Sequence, residues 1–259
     1  MGEYKAKTMV TASALRLKIE QTLEGRFPAA LTPAPRTIRE VTATGIAAVD
    51  KLLDGGFPVA AISEIAGPSC SGRTSLALAF VAARTAEERV CAWVDADDAF
   101  DPESAAASGV ELGQLLWVRC GCNAKHEKNW TRLEQAVRST DLLMQTGGFA
   151  AIVLDLAGID PAQAMRIPLA TWFRFRQAAD RTRTSLLVLG QASYAQSSAA
   201  VVLNTEPMRL ESLGGTVLDG GAFAISRRRQ RFQPQMINAR KPPASTWTAN
   251  TQWAMERSA

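Results

Sequence analysis

The stretch Gly67-Pro68-Ser69-Cys70-Ser71-Gly72-Arg73-Thr74-Ser75 places two glycines five residues apart, with hydroxyl side chains directly after them. A loop of this spacing presents successive backbone N–H groups and a helix N-terminus to an anion, which suits a chain of phosphates. The full pattern, G-x-x-x-x-G-K-[ST], calls for lysine where Arg73 stands. A lysine ammonium is a compact point charge, whereas guanidinium is a wide planar fork that need not fit the same slot. Phosphate binding is therefore expected to survive this substitution better than turnover does.

Other chemistry falls at the ends of apolar runs. Asp155 follows Ala150-Ala151-Ile152-Val153-Leu154 and is placed to support magnesium, with Thr74 or Ser75 supplying a hydroxyl. The plainer reading of Asp155 is a cap on the next segment. Asp95 or Asp97 is placed to orient an attacking water, and Gln191 to sense a terminal phosphate. Cys120, Cys122 and His126 make C-x-C-x3-H, one ligand short of a zinc site, so incidental thiols are expected there. Cys91 lies in an apolar run and reads as a small core residue.

These residues need a scaffold that brings strand ends together. Ala60 to Ile65, Val90 to Val94, Leu115 to Val118, Ala150 to Leu154 and Ser185 to Leu189 read as strands. Thr74 to Glu88, Trp130 to Gln145 and Pro168 to Arg181 read as helices between them. Such alternation predicts an α/β core, a mainly parallel central sheet flanked by helices, whose ligands sit outside the carboxyl ends of the strands. From Ala199 the runs shorten and become β-like, with turns at Gly214-Gly215 and Gly220-Gly221.

Three regions follow: an N-terminal helix with a Pro-rich linker over 1–42, a core over 43–238 and a flexible tail over 239–259. Within the first, Leu15, Ile19 and Leu23 make an apolar stripe on a helix from Thr11 to Glu24, before Phe27-Pro28-Ala29-Ala30-Leu31-Thr32-Pro33-Ala34-Pro35. In the tail, Trp247 and Trp253 are candidate anchors for a partner, or pack on the tail's own domain. At 47% hydrophobic and 21% charged, the 259 residues suit a soluble globular protein, and no apolar run is long enough to span a bilayer. A cytoplasmic location is the expectation. The net charge of +4 permits contact with nucleic acid. Arg227, Arg228, Arg229 and Arg231 concentrate it, as a DNA-binding cluster or as a solvated strand face.

The order of glycine loop, acidic strand end, aspartate and glutamine resembles the RecA family, and the likeness covers about residues 43–230. Thr44-Gly45-Ile46-Ala47-Ala48-Val49-Asp50-Lys51-Leu52-Leu53 with Gly55-Gly56-Phe57-Pro58 and Glu64-Ile65-Ala66-Gly67-Pro68 is similar to the family's approach to its ATP site. Asp95 to Pro102, with Gly109-Val110 after it, is similar to the segment that bears RecA's catalytic glutamate. The resemblance implies a RecA-type core, with ATP and magnesium as cofactors and catalytic roles for Asp97 and Gln191. Asp97 stands at the glutamate position and is one methylene shorter; Ser104 takes the place of the ring that stacks on adenine; Leu156 replaces a hydroxyl residue. Little chain is left after Asp155 or after Gln191 for the family's two DNA-binding loops.

Leu115-Leu116-Trp117-Val118-Arg119, Arg174-Phe175-Arg176-Gln177-Ala178-Ala179 and Ser197-Ser198-Ala199-Ala200-Val201-Val202-Leu203 resemble the RecA-like ImuA group of translesion-mutagenesis accessory proteins. That likeness implies a damage-inducible adaptor that joins ImuB, an inactive Y-family polymerase homologue, to an error-prone replicative-type polymerase. A DNA-dependent ATPase of the RecA type and a division inhibitor resembling SulA are the competing expectations. Phe27-Pro28-Ala29-Ala30 fits the F-x-x-A pattern of RecA-family self-assembly, with an incidental Phe in a linker as the alternative.

Overall fold

The computed structural model describes residues 40–121, 131–207, 209–213, 217–230 and 243–250. The helix expected at Thr11 to Glu24, the F-x-x-A string, Cys122, His126, Arg231 and Trp253 lie outside the described residues.

Elements follow in the order β1 (Val41–Thr42), α1 (Ala47–Leu52), β2 (Phe57–Pro58), β3 (Ile62–Ala66), α2 (Arg73–Thr85), β4 (Cys91–Asp95), α3 (Pro102–Ala107) and β5 (Leu115–Arg119). Then come α4 (Arg132–Thr146), β6 (Ala151–Asp155), α5 (Pro161–Ala164), α6 (Leu169–Thr182), β7 (Ser185–Gly190), β8 (Ala199–Thr205), β9 (Arg209–Leu213), β10 (Val217–Gln230) and β11 (Ala244–Asn250). The main sheet has the order β11-β10-β8-β3-β7-β6-β4-β5, with β9 paired to β10. Its five pairings from β8 to β5 are parallel, and β10 joins β8 antiparallel.

Both faces of the parallel strands are covered, which is why β6 and β7 read as unbroken apolar runs. On one face Leu76, Phe80 and Val81 of α2 pack with Trp93, Val153 and Leu187; on the other Trp172 and Phe175 of α6 pack with Ile152, Leu186 and Val188. Local signals fix the helix starts. Asp101 accepts hydrogen bonds from the backbone N–H groups of Glu103 and Ser104 to open α3, and Thr131 with Glu134 forms a reciprocal capping box for α4.

Three expectations change. Val41–Thr42, assigned to the linker, pairs antiparallel with Phe57–Pro58. Gly220-Gly221, expected as a turn, lies inside the long strand β10, between β9 and β11. Within the expected flexible tail, Ala244–Asn250 is a strand whose partner is Gly220–Ser226, and its Trp247 is buried.

Candidate functional site: the phosphate loop and its surroundings

The turn between β3 and α2 is held from both sides. Gly67 N–H donates to the Gly190 carbonyl at 3.1 Å, and the Ser71 and Thr205 hydroxyls share a buried hydrogen bond of 2.7 Å. A Cβ on Gly67 would fall 2.2 Å from Thr205 Oγ1, so the position tolerates no side chain. Cys70 (φ 55°) and Gly72 (φ 80°) take left-handed conformations, the backbone geometry that makes an anion-binding concavity of successive N–H groups. Gly72 then caps the thirteen-residue helix α2 without a side-chain hydrogen bond. Pro68, Ser69, Cys70, Thr74 and Ser75 are exposed around the loop.

Arg73 is the loop's unusual member. It is buried to 7% exposure, and its Nη1 has no hydrogen-bond partner among the described residues. A guanidinium cannot shed its charge at any ordinary pH, so an unpaired buried nitrogen is a standing demand for an acceptor. Burial lowers the Arg73 pKa, and the nearby Asp155 carboxylate opposes that shift. Asp155 answers in kind: burial pushes its carboxyl up to about 6, against a hydrogen bond from the Ala157 N–H and the attraction of Arg73. A multiply charged anion and a divalent cation placed between these groups would satisfy both. Thr74 or Ser75 with Asp155 could hold magnesium, and the loop from Gly67 to Ser75 could hold phosphates. Among the described residues no cluster of three or more His, Cys, Asp or Glu side chains is arranged to bind a metal by itself.

The two carboxylates after β4 separate cleanly. Asp95 accepts from the N–H groups of Asp97, Ala99 and Phe100 and from Trp117 Nε1, at 2.9–3.3 Å, which spends it on shaping the loop. Asp97 remains half-exposed beside Asp155. It pairs with Arg132 at 3.3 Å and rests on Gly158, where a Cβ would come 1.9 Å from its Oδ2. Asp98 forms a two-pronged pair with Arg119. Ser104 donates to Asp101, the cap of its own helix.

Gln191 follows β7 directly and donates from Nε2 to the Ala157 carbonyl at 3.1 Å, which ties it to the turn after Asp155. It also borders a polar cavity of about 370 Å3 with Gly67, Ser193, Glu206, Ser226 and Arg228. A larger groove of about 780 Å3 lies between α4 and α6, lined by Arg138, Gln163 and Arg174 among others. None of its lining residues belongs to the loop, whereas the smaller cavity is walled in part by Gly67 and Gln191.

The arginine cluster is dispersed by its strand. Arg227 reaches back to Asp54 and the Leu52 carbonyl, both at 2.9 Å, and also to Gln230; Arg229 donates to the Gln196 carbonyl. Arg228 is exposed on the cavity wall. These three therefore do not form one continuous cationic face, because alternation and a bulge between 227 and 229 aim them differently.

Glu64 was not a site candidate from sequence. It is buried in β3 and accepts from the N–H groups of Tyr194 and Ala195 at 2.7 and 2.8 Å and from the Ser193 hydroxyl. A lone acid inside an apolar strand is the signal that was there to be read.

A sequence profile for the RecA N-terminal domain matches residues 28–167. Protein RecA of Ruegeria pomeroyi is 36% identical over 124 residues, 47% of this chain and 33% of that protein. Protein RecA of Cereibacter sphaeroides is 38% identical over 124 residues, with the same shares. The chain thus aligns with about a third of the length of these curated relatives. The crystal structure of the RadB recombinase superposes with a TM-score of 0.55 at 18% identity, covering 80% of this chain and 94% of that one, a likeness of fold.

Proposed function

Because the chain belongs to the RecA family, we propose that it is a RecA-like adaptor of translesion DNA synthesis, of the ImuA kind, with a weakened ATP site. The observation that carries this reading is the connection between β7 and β8. Residues 191–198 join the two strands in a tight turn, and Glu64 fastens its middle through Ser193, Tyr194 and Ala195. A mobile DNA-binding loop has no room there. Asp155 is likewise followed by a short turn into α5, which begins at Pro161.

The catalytic side supports the same reading. Phosphoryl transfer depends on positioning and charge. Here the loop cation is a buried guanidinium, and Asp97 is drawn toward Arg132. ATP with magnesium would act as an occupant that fixes the loop, and turnover would be slow. The partners on this reading are a Y-family polymerase homologue of the ImuB type and an error-prone replicative polymerase.

The competing RecA-type, DNA-dependent ATPase draws on the intact loop geometry and on Gln191 lying between the loop and Asp155. One comparison separates the two. The adaptor co-purifies with the polymerase homologue and shows no turnover stimulated by single strands; robust stimulated turnover lost in Asp155→Ala, with no capture of the homologue, would establish the ATPase instead.

A further inference from the structure

The turn that replaces a longer loop also delivers a side chain. Tyr194 lies on Gly190, at the end of β7, so closely that a Cβ there would sit 2.3 Å from the ring's Cε2. Glu64 holds its backbone, and the residue is 4% exposed. Its hydroxyl has no hydrogen-bond partner among the described residues. The backbone N–H groups of Gln191 and Ala192 come near the oxygen without reaching hydrogen-bond geometry, and they supply donors, so the hydroxyl proton still lacks an acceptor.

Gly190 is also the residue whose carbonyl fastens Gly67. The Tyr194 ring and the start of the phosphate loop therefore meet at one strand end. Arg73 and Tyr194 are near enough to influence each other's charge, and Arg73 Nη1 and Tyr194 Oη are both buried donors with no acceptor among the described residues. Buried polar groups are almost always satisfied, so two unpartnered donors this near an anion-binding turn suit an acceptor bound at that turn. A phosphoryl oxygen has the charge and the lone pairs to take both bonds.

We infer that Tyr194 is a phosphate-binding residue, whose Oη donates to a terminal phosphoryl oxygen that Arg73 Nη1 also holds. This rests on the nucleotide-binding part of the function proposed for the chain. It makes the short turn a fixed sensor of the terminal phosphate: Glu64 positions the turn, Gly190 admits the ring, and Tyr194 supplies the donor. The guanidinium, too wide to take a lysine's place unaided, gains a second donor that completes its site.

Tyr194→Phe keeps the ring on Gly190 and removes the one oxygen. Titration calorimetry of the full chain with magnesium should show ATP bound roughly tenfold or more weakly by the variant, the scale of a lost hydrogen bond to a charged group. ADP should change less than about twofold, since its phosphates stop short of this donor, and the melting temperature should not fall. Equal ATP affinity in parent and variant, or an equal loss for ATP and ADP, overturns the role of Tyr194 while leaving nucleotide binding intact. A parent that binds neither nucleotide overturns both readings together.

Discussion

Phe223 stacks on Trp247, ring centroids 5.0 Å apart and planes at 22°, and the pair closes over Gly72 of the phosphate loop. A Cβ on Gly72 would lie 2.6 Å from Phe223 Cδ1 and 2.9 Å from Trp247 Cζ2. The C-terminal strand β11 thus braces the loop from which α2 starts. Trp247→Ala should destabilise the protein by about 3 kcal/mol, toward the low end for a buried tryptophan because β11 is the outermost strand of the sheet among the described residues. Deleting residues 243–259 should cost at least as much. Urea denaturation reads both; an unchanged midpoint in the truncated chain would mean that β11 braces nothing.

Cys70 is exposed in the loop, whereas Cys91 and Cys120 are buried and burial pushes each thiol up to about 11. Thiolate is the reactive form, so at pH 7.5 iodoacetamide should label Cys70 well before Cys91 or Cys120. Magnesium ATP should slow that labelling by covering the loop. Mass spectrometry of timed digests follows each site separately, and labelling of Cys70 at the same rate with and without nucleotide would place the phosphates elsewhere.

Much of this architecture was legible because the parallel strands are covered on both faces. Ile152-Val153-Leu154 and Leu186-Leu187-Val188-Leu189 are apolar without interruption, and Asp155 and Gln191 stand out where those runs stop. Glu64 was harder, since its partners lie about 130 positions away and no local pattern announces them. Strand β11 was hidden by composition: Ser245, Thr246, Thr248 and Asn250 look like linker residues beside Pro242-Pro243, although alternating Thr and Trp suit a half-buried strand. The arginine run looked like one patch because sequence adjacency says nothing about which way a bulged strand turns each side chain.

Asp155 makes the apo protein's stability fall as pH rises. Its folded pKa of about 6 lies above the 3.8 of a free aspartate, so the folded state holds the proton more tightly than the unfolded one. Below about pH 4 both states are protonated and the group costs nothing. Between pH 4 and 6 the cost grows, and above that it stands at roughly 3 kcal/mol, about two pKa units. Asp155→Asn should therefore be more stable than the parent at pH 7.5 in EDTA and indistinguishable at pH 4, as measured by denaturant midpoints. A variant less stable than the parent at pH 7.5 contradicts this account.

The arginines of β10 divide into anchors and free charge, and substitution should reveal the division. Arg227, with Asp54 and the Leu52 carbonyl as partners, is mainly structural, so Arg227→Ala should cost about 1 kcal/mol of stability. The Arg228 side chain has no ion pair or hydrogen bond among the described residues and lines the cavity beside Gly67. If single-stranded DNA is held here, Arg228→Glu should weaken it at low salt without lowering the melting temperature. The slope of log affinity against log salt should shrink by about 0.7 for each phosphate that the variant fails to neutralise, because such a phosphate keeps its counterion. Fluorescence anisotropy with a labelled oligonucleotide across a salt series gives both quantities. Should Arg228→Glu match the parent in affinity and slope while Arg227→Ala unfolds at lower urea, the run serves to anchor the strand, and any DNA binding belongs to another surface.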